Sequence, residues 1–272
     1  MRQILLLTLV LCGLFLGGIC GKDEEAGDEQ VDQIVSQWVV PNNRVYPFMV
    51  YFTKFNRMLR KHVFSCAGTL ITSQKVLTSA SCFEGIQSGV GFAPTQYTPI
   101  AWLASAEVGG PSAISRSVIT VYKHPQYDPA SNGNHDNIAV VLLQTEVLPT
   151  SATPAKLGYT LQPKVGVPNQ LLAVGWGYAG GMVSTKLLHS YMNLIPDYDC
   201  QKVFGTVDNI NTICLAYPDA GACTYDLGSP ILSNDQKQVI GVIGKNMRCG
   251  GGEPIVAVDI RRYRNWSPMP YQ

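Results

Sequence analysis

The chain has 272 residues, of which 14% are charged and 46% are hydrophobic. This composition excludes a disordered chain and a coiled coil, because both classes carry far more charge. The formal net charge is +1, so the overall balance gives no indication of nucleic-acid binding. The 26 glycines and 17 prolines favour short strands that are joined by many tight turns.

The N-terminal residues have the pattern of a secretory signal. An apolar run from Ile4 to Ile19 follows Arg2, and small residues come next, so we predict a signal peptide over 1–21. A membrane anchor is the alternative, but the run is short for one, and no later stretch approaches the length of a membrane span. Residues 22–33 hold six acids and are interpreted as an acidic, propeptide-like leader. We predict a secreted, extracellular protein whose domain covers 34–272.

Runs of β-branched and aromatic residues recur along the chain, with turn residues between them. In chain order they are Phe48–Thr53, Gly68–Thr72, Lys75–Ser79, Ser117–Tyr122, Ile138–Leu143, Gln170–Gly175, Gln238–Ile243 and Pro254–Val258. This spacing predicts an all-β sandwich or barrel. We interpret the turn-rich stretch 149–167 as the connection between two β halves, and we predict short helices over Asp197–Val203 and Asp259–Trp266.

The cysteines support the predicted compartment. Two of the eight lie in the signal region, and the remaining ones are Cys66, Cys82, Cys200, Cys214, Cys223 and Cys249. An even number of cysteines in an exported chain predicts three disulfides. The number of cysteines does not indicate which of them pair. A zinc site is the competing interpretation, but the chain has no C-x-x-C pair and no matching His spacing. We predict no metal and no cofactor.

Four segments together resemble the trypsin/chymotrypsin family of serine proteases. Residues 64–82 are similar to the strand pair that leads to the family's Ala-His-Cys motif, and residues 136–140 are similar to its Asp-Ile-Ala-Leu strand. Val174–Gly177 matches its Gly-Trp-Gly, and Cys223–Pro230 stands in the place of its Cys-x-Gly-Asp-Ser-Gly-Gly-Pro. The resemblance extends from about Ile34 to Trp266. It implies an all-β fold of two packed, six-stranded antiparallel barrels with a short C-terminal helix.

The resemblance also implies how the cysteines pair. The family pattern joins Cys66 to Cys82, Cys200 to Cys214 and Cys223 to Cys249. Three disulfides without the extra pairs of vertebrate digestive members resemble arthropod homologues.

The residues at the family's catalytic positions do not fit its chemistry, which needs a nucleophile, a general base and a carboxylate that orients the base. The nucleophile position carries Leu227, the base position carries Ser81, and the third position carries Asn137. A shift of one residue would place Asp136 in the third position instead. Loss of the nucleophile or the base alone lowers turnover by about 10⁶. The resemblance therefore implies an inactive homologue.

The implied substrate cleft is altered as well. Tyr225 replaces a glycine beside the oxyanion hole, and we expect it to crowd the oxyanion unless its ring points outward. Ile255 replaces a pocket-wall glycine and should fill the pocket, unless the wall moves outward and leaves a shallow apolar hollow. The positions of the degenerate cleft are Gly221, Tyr225, Gly244, Lys245, Asn246 and Ile255.

A basic loop joins the first two strands of the body. Such a loop favours anionic ligands, namely sulphated glycans, anionic lipid headgroups or an acidic partner surface. The alternative is that the loop is a solvated hairpin tip without a ligand. Interleaved apolar residues favour protein binding. The candidate binding residues are Lys54, Arg57, Arg60 and Lys61.

The expected function is protein binding, as a regulator, cofactor or decoy in an extracellular protease pathway of the immune, complement or reproductive type. The expected partner is an extracellular protein, namely a protease, a substrate, an inhibitor or a complement-type component, with a sulphated glycan as a further candidate. A structural or storage secretion without a specific partner is one alternative. An enzyme with unorthodox hydrolase chemistry is the other.

Overall fold

A computed structural model describes most of the predicted domain. The described residues are 38–130, 135–158, 170–179, 182–205, 207, 210–216, 226–245 and 254–270. Several predictions fall outside them: the signal peptide over 1–21, the acidic leader over 22–33, the pair Cys223–Cys249, and the cleft residues Gly221, Tyr225 and Asn246.

The first barrel is a closed, six-stranded antiparallel sheet. After a two-residue strand, β1 (Trp38–Val39), its strands are β2 (Met49–Asn56), β3 (Lys61–Leu70), β4 (Lys75–Thr78), β5 (Ile100–Leu103), β6 (Ile114–Lys123) and β7 (Ala139–Leu143). They pair in the order β2-β3-β4-β7-β6-β5. Alternate residues such as Val50 and Phe52 point into an apolar interior and are fully buried, as the period of two in a half-buried strand requires.

The second barrel repeats this architecture. Its elements are β8 (Lys156–Leu157), β9 (Gln170–Gly175), β10 (Tyr178–Ala179), β11 (Met182–Val183), β12 (Leu188–Leu194), α1 (Asp197–Phe204), β13 (Thr212–Ala216), β14 (Pro230–Leu232), β15 (Gln238–Lys245) and β16 (Ile255–Asp259). The order β12-β13-β16-β15-β14-β9 closes through pairing of β9 with β12, while β1 adds to β12 and β8 runs parallel to β15. The predicted pair of six-stranded barrels is confirmed.

Both predicted helices form, and they differ in type. The first is confirmed as α1, which ends at Gly205, where a backbone φ of +76° suits glycine and the N–H donates to the Gln201 carbonyl. The second is confirmed as a short 3-10 helix over Ile260–Tyr263, which ends three residues before the predicted Trp266. The chain then continues in turns, and Pro268 lacks the N–H that a longer helix would need.

Two of the three implied disulfides are present in the described residues. Cys66–Cys82 joins β3 to a 3-10 turn over Ala80–Phe83. Cys200–Cys214 joins α1 to β13.

The barrels share an apolar core at their junction. The buried residues of this shared core include Tyr51, Leu77 and Val140 from the first barrel and Leu172, Val242 and Val258 from the second. The fully buried Trp176 packs edge-to-face on Tyr51, with 5.2 Å between the ring centroids. The polar residues of the candidate site lie beside this junction.

Candidate functional site

A polar cluster forms where β4 ends and β7 begins. The two strands pair antiparallel with Thr78 opposite Ala139, so the residues just after Thr78 and just before Ala139 are neighbours. The Asn137 Oδ1 accepts hydrogen bonds from the Ser79 hydroxyl at 2.7 Å and from the Ser81 N–H at 2.8 Å. The hydroxyls of Ser79 and Ser81 are 2.8 Å apart.

The Asn137 side chain also joins the two barrels. Its Nδ2 donates to the carbonyl oxygen of Gly244, in β15 of the second barrel, at 2.8 Å, and it lies 3.2 Å from the Ser81 hydroxyl oxygen. The donor on one side and the acceptor on the other fix the orientation of the amide. A carboxylate at this position has no hydrogen to offer the Gly244 carbonyl.

Asp136, the alternative to Asn137, faces away from Ser81. Its backbone is in the left-handed region, with φ at +48°, and its Oδ1 accepts a 2.7 Å hydrogen bond from the Tyr263 hydroxyl. His124 Nδ1 lies 3.4 Å from the same oxygen, without hydrogen-bond alignment. Burial lowers the pKa of His124, while the Asp136 carboxylate opposes that shift. Of the two alternatives, Asn137 is the residue that contacts Ser81.

Leu227 lies in a tight turn of the second barrel that contacts the first. The Leu227 carbonyl accepts a 2.8 Å bond from the Ala67 N–H of β3, and the leucine side chain packs on the apolar interior of the first barrel. The next residue, Gly228, has φ at +81°, and a Cβ there would lie 2.1 Å from the Ala67 carbonyl oxygen. The close approach of the two barrels therefore requires glycine at position 228.

The same turn places a buried carboxylate. Asp226 is 6% exposed, and its Oδ1 accepts a 3.0 Å bond from the Gly177 N–H. It lines a cavity of about 10 Å³ together with Gly175, Gly177 and His189.

His189 is held by a buried phenol. Burial, with a further contribution from Tyr191, raises the pKa of Tyr46 to about 12, and burial lowers the pKa of His189. The phenol therefore keeps its proton, and its oxygen lies at a hydrogen-bonding distance of 2.7 Å from His189 Nδ1.

The remaining cleft predictions fall on two strands. Ile255 begins β16 and is 1% exposed, packed within the apolar interior of the second barrel. Gly244 is buried, and Lys245 is the last residue of β15. That Ile255 fills a substrate pocket stays a prediction, because residues 217–225 and 246–253 lie outside the described residues.

The basic loop forms the tip of the β2–β3 hairpin, and the structure separates its cations into two groups. Lys54 is half-buried, with its Nζ 5.6 Å from the Phe83 ring centroid, and burial lowers the pKa of its ammonium group while Glu84 opposes the shift. Arg57, Arg60 and Lys61 are exposed. Lys54 therefore lies apart from the three cations at the tip.

One cavity was not found from the sequence. It has a volume of about 570 Å³ and is lined by Glu84, Ser88, Lys123, His124 and Tyr127, among others. The Tyr127 hydroxyl donates to Glu84 Oε1 at 2.9 Å, and burial raises the pKa of Tyr127. Its lining comes from two separate segments, 84–88 and 123–129, and no local motif links them.

Within the described ranges, no group of three or more His, Cys, Asp or Glu side chains is arranged to hold a metal ion. No helix of that part of the chain is long and apolar enough to cross a membrane.

Two closed antiparallel barrels, with a polar cluster and a tight glycine turn at their junction, define the two-barrel class of serine-protease folds. A family model described as Trypsin matches residues 35–267, and the chain belongs to this family.

Relatives agree with this assignment. The chain is 30% identical over 216 residues to Serine protease SP24D of Anopheles gambiae, covering 77% of this chain and 73% of that protein. It is 26% identical over 247 residues to Trypsin II-P29 of Gallus gallus, covering 88% and 90%. A solved structure of neuropsin, a serine protease expressed in the limbic system of mouse brain, matches the fold with a TM-score of 0.66 at 19% identity, over 81% of this chain and 92% of that one.

Proposed function

We propose that the protein is a secreted, non-catalytic member of the trypsin family that acts by binding another extracellular protein. The observation that carries the proposal is Leu227 at the turn before Gly228 and Ser229, the position of the family's nucleophile. A leucine side chain has no atom that can attack a carbonyl.

The polar cluster supports the same conclusion for the general base. The family's base must accept a proton from the nucleophile near neutral pH. The side chain at this position is Ser81, and its hydroxyl lies against the Ser79 hydroxyl and the Asn137 amide. None of these three groups takes up a proton near neutral pH. The three contacting side chains therefore form a structural hydrogen-bond network.

Three histidines of the described residues make contacts away from the polar cluster. His62 bonds to Thr53 and to the Gln96 carbonyl, His124 packs on Tyr263, and His189 bonds to Tyr46. These contacts do not supply an imidazole to Ser81.

Secretion is proposed from the signal-like N-terminus and the disulfides, which persist in oxidising compartments. We propose a partner from an extracellular protease pathway of the immune, complement or reproductive type, because a non-catalytic member of the trypsin family can still bind the proteins of such a pathway. We also propose an arthropod source, from the three-disulfide pattern.

Purified protein tested for turnover distinguishes this proposal from unorthodox hydrolase chemistry. We expect no reaction with a fluorophosphonate probe and no hydrolysis of broad peptide-ester and amide substrates above a matched blank. Turnover that disappears in a Ser81→Ala or Ser229→Ala variant would overturn the inactive assignment. The Ser73→Ala variant, altered in the turn between β3 and β4, serves as the matched control.

Affinity capture from the native fluid separates a binding role from a structural or storage role. We expect the same extracellular protein in repeated captures, and reversible binding when that protein is purified. Recovery of no reproducible protein would favour the storage alternative.

A further inference from the structure

The tip of the β2–β3 hairpin projects both apolar and cationic side chains into solvent. Asn56 pairs with Lys61 to close a four-residue loop, and the Asn56 side chain accepts hydrogen bonds from the backbone N–H groups of Met58 and Leu59, at 3.0 Å each. Met58 is 94% exposed and Leu59 is 58% exposed. The loop therefore presents its two apolar side chains at its outermost point.

Three cations surround these apolar residues, without acidic neighbours in the sequence. Arg57, Arg60 and Lys61 are all exposed. Glu84 is the only acidic residue from Gln33 to Ala106, and it lies near Lys54 rather than near the tip. The tip thus combines positive charge with an apolar end.

A neighbouring turn holds the hairpin in place. His62 Nε2 bonds to the Gln96 carbonyl at 2.9 Å, and the rings of Phe55 and Tyr97 pack edge-to-face with 5.2 Å between centroids. The Arg57 guanidinium lies over the Tyr97 ring, 5.6 Å from its centroid, and Tyr97 is itself 55% exposed. These contacts hold the hairpin tip in one arrangement, and such preorganisation lowers the entropic cost of binding a ligand.

We propose that this tip, defined as Arg57–Lys61 together with Tyr97, binds the surface of a lipid bilayer that carries anionic headgroups. The cations meet the headgroup phosphates, Met58 and Leu59 enter the region between headgroups and acyl chains, and Tyr97 lies at the interface, where amphipathic rings are favoured. A sulphated glycan would use the cations but leave the apolar end of the loop in water. The inference is independent of whether the protein is catalytic.

Vesicle co-sedimentation tests the proposal on the whole protein. We expect the protein to sediment with vesicles of phosphatidylserine and phosphatidylcholine, and to remain in the supernatant with phosphatidylcholine alone. Each of the single variants Arg57→Gln, Arg60→Gln and Lys61→Gln should lower the partition coefficient between vesicles and water by about fivefold. The paired change Met58→Ser with Leu59→Ser should lower it at least as much, because it removes the apolar contact.

Two controls separate a bilayer from other polyanions. Lys156→Gln, Lys237→Gln and Arg262→Gln together remove three exposed cations elsewhere and should leave most of the partitioning intact. On a heparin column, the tip cation variants should elute at lower salt, whereas the Met58→Ser, Leu59→Ser protein should elute like the wild type. Sedimentation that does not depend on phosphatidylserine, or that survives the two serine substitutions unchanged, would overturn the proposal. An unchanged melting temperature confirms that each variant is folded.

Discussion

Asn137 makes a contact that the carboxylate of an active enzyme could not make. Its amide donates to the Gly244 carbonyl and accepts from Ser79 and the Ser81 backbone, so one neutral side chain serves donors and acceptors from both barrels. Replacing Asn137 by a carboxylate therefore disturbs these hydrogen bonds, so the geometry of the cluster depends on the amide and not only on its size.

On the proposal that the protein is non-catalytic, placing the family's residues at the three positions should not produce activity. In the triple variant Ser81→His, Asn137→Asp, Leu227→Ser, the new carboxylate would face the Gly244 carbonyl without a hydrogen to donate, and the buried Ile255 would still occupy the second barrel's interior. Misplacement of the reacting groups by about 1 Å can cost about 10²-fold in rate. Hydrolysis of a lysine or arginine peptide ester is the measurement, with the wild-type protein as blank. Trypsin-like turnover by the triple variant would show that the cleft still accepts substrate.

His189 should make folding stability depend on pH. Burial lowers its pKa in the folded state below the usual 6.5, so the unfolded chain binds the proton first as the solution is acidified. The contribution of neutral His189 to the free energy of unfolding should be complete above about pH 6.5. It should decrease as the pH falls from there towards the folded-state pKa. Urea titrations at a series of pH values measure this slope, which His189→Phe should reduce and Tyr46→Phe should retain. Since burial also lowers the pKa of His124, part of the slope should persist in the His189 variant. An identical slope in the His189→Phe protein would contradict the assignment.

Backbone conformation and long-range packing are the two properties of single residues that the sequence does not predict. The sequence left Asp136 and Asn137 as alternatives, because nothing in residue type reveals the left-handed φ that turns Asp136 towards Tyr263. The separation of Lys54 from the tip cations cannot be predicted for a different reason, because its proximity to Phe83 depends on the packing of two segments that are distant in sequence.

At the scale of elements, the apolar pattern decided which strands could be predicted. Strand β9 was predicted to the residue, over Gln170–Gly175, because its run of apolar residues is uninterrupted after the first. Strand β12 was missed, because the polar Ser190 is buried at one of its inward positions and breaks the apolar alternation. The predicted C-terminal helix begins where expected, because the Asp259 side chain accepts the Arg261 N–H as an N-cap does, but it forms only a 3-10 helix that ends at Tyr263.

Removing the Cys66–Cys82 disulfide should destabilise the first barrel. The bridge spans 16 positions in sequence and fastens the 3-10 turn that carries Ser81 to strand β3. Closing a loop of this length in the unfolded chain is worth about 3 kcal/mol. The Cys66→Ser, Cys82→Ser protein should show this loss in urea-induced unfolding, with a control in which only the exposed Ser88 is changed. A loss below about 1 kcal/mol would mean that residual contacts in the unfolded chain hold positions 66 and 82 close together without the disulfide.

For the whole molecule, the shared core predicts that the two barrels unfold together. Tyr51 and Trp176 come from different barrels and pack directly on each other, so neither barrel keeps its apolar surface covered alone. Calorimetry should show one transition in which the calorimetric and van't Hoff enthalpies agree. Tyr51→Ala should lower the midpoint without splitting the peak. Two resolved transitions in the wild-type protein would show that each barrel is stable independently.

Arg60 illustrates a conflict between local conformation and surface charge. Its φ of +49° is one that glycine adopts far more readily than arginine, and a non-glycine residue there costs roughly 1 kcal/mol or more. Arg60→Gly should therefore raise the melting temperature while it weakens attachment to anionic vesicles. A hairpin optimised only for stability would have glycine at this turn, so the two properties are opposed at a single position of the chain.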